Sequence, residues 1–166
     1  QGVIADVKHF AANNQEGEQG RGDELIGSRY KVDARVDERT LRELYLAPFE
    51  AIVRDAAPWA LMAAYNGVNG HTMTEHPLLR EIVKDEWSFD GVVMSDWFAA
   101  RSTEAAGRAA LDLAMPGPTG PWGSALVEAV RAGRVDEAAI DDKVLRLLRL
   151  AARVGALEGV EPAAPR

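Results

Sequence analysis

Gly91-Val92-Val93-Met94-Ser95-Asp96-Trp97 decides how this chain is read. The first four residues are apolar on both faces, which suits a parallel strand covered by helices. The run then ends in a small polar residue, a carboxylate and an aromatic. Three other runs share its make-up: Val3-Ile4-Ala5-Asp6-Val7, Ala60-Leu61-Met62-Ala63-Ala64 and Ala110-Leu111-Asp112-Leu113-Ala114-Met115.

Helical patterns separate these runs. After Asp37, a side chain suited to capping a helix, apolar residues fall at Leu41, Leu44, Tyr45, Phe49, Ile52 and Val53, one face of a helix. Pro48 interrupts that face and predicts a kink. Pro77 suits the first turn of a helix reaching Trp87. After Asp136, Ile140, Val144, Leu147, Leu148 and Ala151 repeat the pattern, with Gly155 as the stop. Strands alternating with helices predict parallel βα units, an α/β fold. Four units make half of a (β/α)8 barrel, since a whole one takes roughly 250 residues. The competing architecture is an open four-stranded, doubly wound sheet, but no Gly-rich phosphate loop follows any of the runs. The polar stretch 13–33 reads as a βα loop, residues 1–157 as one domain and residues 158–166 as an exit linker. The start at Gln1, directly before an apolar run, reads as a piece of a longer chain.

Composition narrows the function. The net charge of -7 argues against nucleic acid and against an anionic membrane surface as partners, since both need a basic face. Without cysteine there is no disulfide, thiolate nucleophile or Cys-based zinc site. No apolar run reaches the roughly 18 residues of a membrane span. The compartment stays open between cytoplasm and secretion.

In parallel α/β folds functional groups sit just past the C-terminal ends of strands. Three of the runs deliver polar groups there: Lys8-His9-Phe10, Tyr65-Asn66 and Ser95-Asp96-Trp97. A carboxylate such as Asp96 can attack an anomeric carbon or stabilise an oxocarbenium ion; it can equally cap the next helix. Lys8 and His9 can bind sugar hydroxyls and bring positive charge to the rim, or be a surface lysine and a core histidine. Lys8 could also form a Schiff base, but the polar strand ends offer no apolar pocket to depress its pKa. Tyr65 can donate to the nucleophile, and Trp97 can stack on a sugar; both can also serve as packing. His71 and His76 lack metal-ligand spacing. Glu16, Glu18, Asp23 and Glu24 read as a solvated acidic loop without the ordered spacing of a calcium site.

Five segments in order resemble family 3 glycoside hydrolases, the β-glucosidase group. They are Val7-Lys8-His9-Phe10-Ala11-Ala12-Asn13-Asn14-Gln15-Glu16, Asp37-Glu38-Arg39-Thr40-Leu41-Arg42-Glu43-Leu44-Tyr45-Leu46-Ala47-Pro48-Phe49, Met62-Ala63-Ala64-Tyr65-Asn66-Gly67-Val68-Asn69-Gly70, Glu86-Trp87-Ser88-Phe89-Asp90-Gly91-Val92-Val93-Met94-Ser95-Asp96-Trp97 and Leu111-Asp112-Leu113-Ala114-Met115-Pro116-Gly117. The resemblance implies the C-terminal half of the family's (β/α)8 catalytic barrel and a retaining, exo-acting β-glycosidase that needs no metal or cofactor. It implies Asp96 as nucleophile, Lys8 and His9 as ligands of the non-reducing sugar, and Tyr65 beside the nucleophile. It also implies Trp97 as an aromatic beside the outer subsites and Arg29 as a further sugar ligand. The family departs from this chain at Ser88, where Gly is usual, and at Phe98, where a small residue is common. The implied partners are a β-glycoside substrate, the first barrel half and a following α/β sandwich domain that carries the general acid/base. A chain lacking them is expected to be inactive alone and could pair as a homodimer, or act as a non-catalytic sugar-binding half-barrel.

Overall fold

A computed structural model describes residues 3–15, 29–118 and 120–164. The acidic loop of Glu16, Glu18, Asp23 and Glu24 lies outside them. Three parallel strands form the central sheet: β1 (Asp6–Phe10), β3 (Ala60–Ala63) and β6 (Val92–Ser95), in the order β1-β3-β6. Ala60 pairs with both Asp6 and Val92, and Ala63 pairs with both Phe10 and Ser95. All C-terminal ends therefore lie along one rim. β3 is buried at every residue, as its all-apolar sequence requires.

β1 lies three residues beyond the predicted run. Val3 is 84% exposed, whereas the polar residues Lys8 and His9 belong to the strand. Apolar counting stops where a strand turns polar for its site. A larger correction concerns the fourth run. Residues 110–115 contribute an isolated parallel bridge, Met94 to Leu113, and no strand. Asp112 is the reason. Its Oδ2 takes the Val93 N–H at 2.8 Å, a donor that a backbone carbonyl would engage in a regular ladder. The described sheet thus has three strands where four were expected.

A second sheet was not expected at all. β2 (Asp33–Ala34) pairs parallel to β4 (Gly67–Val68), which forms a hairpin with β5 (His71–Thr72). Asn69 and Gly70 make the two-residue turn with φ of 49° and 93°, the left-handed conformations that Asn-Gly favours.

The first helix starts as predicted. Asp37 caps it by accepting the Thr40 N–H at 3.0 Å, an interaction worth about 1 kcal/mol. α1 (Glu38–Thr40) widens into a π-helical stretch, Leu41–Leu46, and α2 (Ala47–Ala56) follows. Pro48 falls in the first turn of α2, where its missing N–H costs least, so a π turn replaces the expected kink. The wider turn also rotates the face. Leu41, Leu46 and Val53 are buried, while Leu44 and Ile52 are exposed. A second π-helix, Leu79–Glu86, ends at Trp87, and its start rests on the Pro77 carbonyl, which accepts from Arg80 and Glu81.

Two short helices, α3 (Glu104–Arg108) and α4 (Ser124–Arg131), precede α5 (Glu137–Arg153), capped by Asp136. Here the apolar stripe misleads. Val144 and Leu148 are exposed, and the one buried residue of α5 is Lys143. The core lies between the sheet and the helices packed on it. Phe10 contacts Phe49 and Trp87 edge-on at 5.1 and 6.1 Å, a favoured geometry for ring quadrupoles. Gly91 enters β6 where nothing larger fits, because a Cβ there would lie 2.6 Å from the Trp59 carbonyl oxygen.

Candidate active site

The rim gathers one polar cluster from three strand ends. Asp96 follows β6 and is 8% exposed. Its backbone N–H donates to the Ala63 carbonyl at 3.1 Å, which pins the residue against β3. Its Oδ1 accepts the Trp97 N–H at 2.7 Å, and its Oδ2 lies 3.3 Å from His9 Nε2. The Tyr65 phenol faces the same carboxylate closely enough to feel its charge. Burial, then the negative charge of Asp96, pushes the Tyr65 phenol up to about 12. The hydroxyl therefore keeps its proton through the neutral range.

The loops behind the rim are tied together by residues that sequence reading left without a role. Asn66 is fully buried; its Nδ2 donates to the carbonyls of Ala11 and Gly67 at 3.1 Å each, locking the end of β1 to the end of β3. Ser95 Oγ accepts the Met115 N–H at 2.8 Å and so holds the following segment against β6. Arg101 donates to the Tyr65 carbonyl at 2.7 Å and stacks 4.4 Å from the centre of the Tyr30 ring. Tyr30 packs on Tyr65 at 5.1 Å, and its hydroxyl donates to the Phe98 carbonyl. The position of Asn66 and of Ser95 at the ends of apolar runs is the only sequence signal for any of these. The two long-range arginine and tyrosine contacts leave none.

The six predicted residues do not all converge. Asp96 and His9 are in direct contact, and Tyr65 faces the same carboxylate. Arg29 lies over the Tyr65 ring, with Cζ 5.0 Å from its centre. Lys8 is exposed and faces Asp6, whose carboxyl is raised by burial and partly restored by the Lys8 charge. Trp97 points outward, 56% exposed, with its ring 6.4 Å from that of Phe98. A cavity of about 360 Å³ opens beside Lys8 and His9, lined also by Asn13, Asn14, Tyr45 and Phe49.

Among the described residues no group of three or more His, Asp or Glu side chains is placed to hold a metal. His76 is occupied on both ring nitrogens: Nε2 meets the Val68 carbonyl and Nδ1 accepts the Leu78 N–H, each at 3.1 Å. Among the described residues no helix is long and apolar enough to cross a membrane.

A carboxylate at a parallel strand end, a phenol facing it and an exposed indole next to it form a set suited to glycoside chemistry. The sequence profile of the glycosyl hydrolase family 3 N-terminal domain matches residues 1–150. The chain belongs to glycosyl hydrolase family 3. Its α/β fold is that of the family's N-terminal domain. A β-glucosidase of Rhizobium radiobacter is 47% identical over 159 residues, which cover 95% of this chain and 18% of that protein. Thermostable β-glucosidase B of Acetivibrio thermocellus is 45% identical over 151 residues, 90% of this chain and 19% of the relative. The β-glucosidase of Kluyveromyces marxianus, solved in complex with glucose, superposes with a TM-score of 0.80 at 36% identity. That match covers 99% of this chain and 19% of the solved one. The family 3 β-glucosidase of Bifidobacterium adolescentis gives a TM-score of 0.82 at 34% identity, over 96% of this chain and 23% of the other. The chain thus spans about a fifth of the length of its relatives.

Proposed function

We propose that this chain is the C-terminal half of the (β/α)8 barrel of a retaining, exo-acting β-glycosidase, with Asp96 as its nucleophile. The observation that carries this reading is the convergence of His9 and Tyr65 on the buried Asp96 carboxylate at the strand-end rim. Asp96 attacks the anomeric carbon, forming a glycosyl-aspartate bond as the bond to the leaving oxygen breaks. A second carboxyl group about 5–5.5 Å away protonates that oxygen, then deprotonates the water that releases the sugar. Tyr65 holds one oxygen of Asp96 by its hydroxyl and so fixes the direction of attack. Lys8, His9 and Arg29 bind hydroxyls of the terminal sugar, and Trp97 offers its exposed ring to the substrate. No metal or organic cofactor enters this scheme.

The acid/base belongs to a following α/β sandwich domain, reached through a linker at residues 158–166. Residues 1–157 constitute the barrel segment. Apart from that domain and the first barrel half, the chain holds the nucleophile without its proton donor. In the described sheet β1 is an edge strand, and bare edges favour pairing with another chain. A homodimer covering both edges is the expected state of the isolated segment.

The reading is tested by assaying aryl β-glucosides with the purified segment and with the full-length enzyme, beside light scattering. Turnover by the full-length enzyme alone is expected, with the segment inactive and self-associated. Robust turnover by a monomeric segment would mean that an acid within it serves as proton donor and would contradict the assignment.

A further inference from the structure

Asp96 opens a tight turn, in which the Ala99 N–H closes onto the Asp96 carbonyl at 3.0 Å. Arg101 follows the turn and reaches back from it. Its Nη2 donates to the Tyr65 carbonyl at 2.7 Å, and its guanidinium carbon lies 4.4 Å from the centre of the Tyr30 ring. These two partners touch each other, ring to ring, at 5.1 Å. The Tyr30 hydroxyl then donates to the carbonyl of Phe98, within the turn itself. The contacts close a circuit from Arg101 to Tyr65, on to Tyr30, on to Phe98 and back along the chain.

The circuit joins the segment that carries Asp96 to the residue whose phenol faces the Asp96 carboxylate. Pairing of β3 with β6, Ala63 opposite Ser95, already sets the two backbones in register. It does not place the Tyr65 ring, which is placed by what packs on it: Tyr30, and Arg29 at 5.0 Å. Burial raises the Tyr30 phenol, the Arg101 charge draws it back and the Asp96 charge adds to the rise, so Tyr30 also lies within electrostatic reach of that carboxylate. The residue type matters. A guanidinium is planar and can stack on one group while donating to another; an ammonium brings the same charge as a point, without a plane to stack.

We propose that Arg101 is a positioning residue for transfer of the glycosyl group to Asp96: through the Tyr65 carbonyl and the Tyr30 ring it holds the Tyr65 phenol in place before the nucleophile. The inference rests on Asp96 as nucleophile. The test is a double-mutant cycle in the full-length enzyme with an aryl β-glucoside: wild type, Arg101→Met, Tyr65→Phe and the two together, with Arg101→Lys and Asp96→Asn alongside. For each, kcat, KM and the urea midpoint are read. Arg101→Met should lower kcat about tenfold or more while KM changes by less than about threefold, the mark of a misplaced group. In the Tyr65→Phe background the same substitution should change kcat by less than about twofold, because no hydroxyl is left to misplace. Arg101→Lys should lose nearly as much as Arg101→Met, and it carries the same cycle if the methionine variant does not fold. A residue that only supports the fold would lower the urea midpoint and cost the same factor in both backgrounds. That equal factor, an unchanged kcat in Arg101→Met, or wild-type kcat in Arg101→Lys overturns the proposal and leaves the glycosidase reading intact. Wild-type turnover by Asp96→Asn removes the underlying reading and this inference with it.

Discussion

Asp96 and Asp112 are both buried carboxylates beside β6, and they are held in opposite ways. Asp112 is saturated: Oδ1 takes Lys84 Nζ at 2.6 Å, Oδ2 takes the Val93 N–H at 2.8 Å, and both side chains of the ion pair are 0–1% exposed. Burial pushes the Asp112 carboxyl up and the Lys84 ammonium down, and each charge pulls the other back. Around them, burial raises Asp142 too, but Lys84, Arg146 and Arg80 outweigh it and bring that carboxyl down to about 2. Asp96 has a different shell: an imidazole at 3.3 Å whose side chain is part-exposed, a facing phenol and one backbone N–H. Enclosure with a dedicated counter-ion serves the fold. A carboxylate braced by an imidazole and a backbone N–H at a strand end can take up a new bond.

The sharpest way to break this contrast is to neutralise each acid in the full-length enzyme. Asp96→Asn should lower kcat by about three to five orders of magnitude, as loss of a nucleophile does, and leave the unfolding transition in place. Asp112→Ala should do the reverse. It strands a buried lysine and should cost about 3–5 kcal/mol in denaturant unfolding, while the enzyme that remains folded keeps its kcat. If Asp112→Ala abolished turnover without changing stability, the division of labour between the two acids would be wrong.

A smaller effect is expected at the rim. Lys8→Ala and His9→Ala should each lower kcat/KM about 10- to 100-fold, through kcat and KM together, since contacts that tighten in the transition state serve both. A rise in KM alone would demote them to ground-state ligands.

The smallest effect is a pH slope. Lys143 donates to the Ala109 carbonyl at 2.6 Å and faces Lys84 and Arg80 as well as Asp112 and Asp142. Burial is the main reason its ammonium is brought down to about 8. Between about pH 8 and the ordinary lysine value of 10.5, the unfolded chain holds a proton that the folded chain has released. Stability should therefore rise with pH across that window through this group, and be unaffected by it below. Lys143→Met should flatten the rise in urea midpoints between pH 8 and 10. A slope that survives the substitution would assign it to another group.

The contrast also explains what could be read from sequence. Asp96 was legible because an apolar run ends at it, so its position on a strand tip follows from hydropathy alone. Asp112 lies inside an equally apolar run and was read as strand, since only the folded chain reveals that its carboxylate takes over a ladder bond. The helix caps Asp37 and Asp136 were legible because capping is local. The π turn before Pro48 was not, because it answers a proline clash by a change of winding that exposes Leu44 and Ile52. The small sheet carries a legible turn, Asn69-Gly70, but the strands it joins are two residues each, too short for hydropathy to mark. Tyr30 and Arg101 act across 35 and 36 residues of chain separation from Tyr65, by packing and one carbonyl bond, and no spacing rule points to them.

One measurement bears most directly on the account. The full-length enzyme is incubated with a 2-deoxy-2-fluoro-β-glucoside carrying an activated leaving group, digested, and its peptides examined by mass spectrometry. The fluorine slows release of the covalent intermediate more than its formation, so the nucleophile keeps the sugar. The fluoroglucosyl group is expected on Asp96, absent from the Asp96→Asn enzyme. Its appearance on any other carboxylate, with Asp96 unmodified, would contradict the assignment.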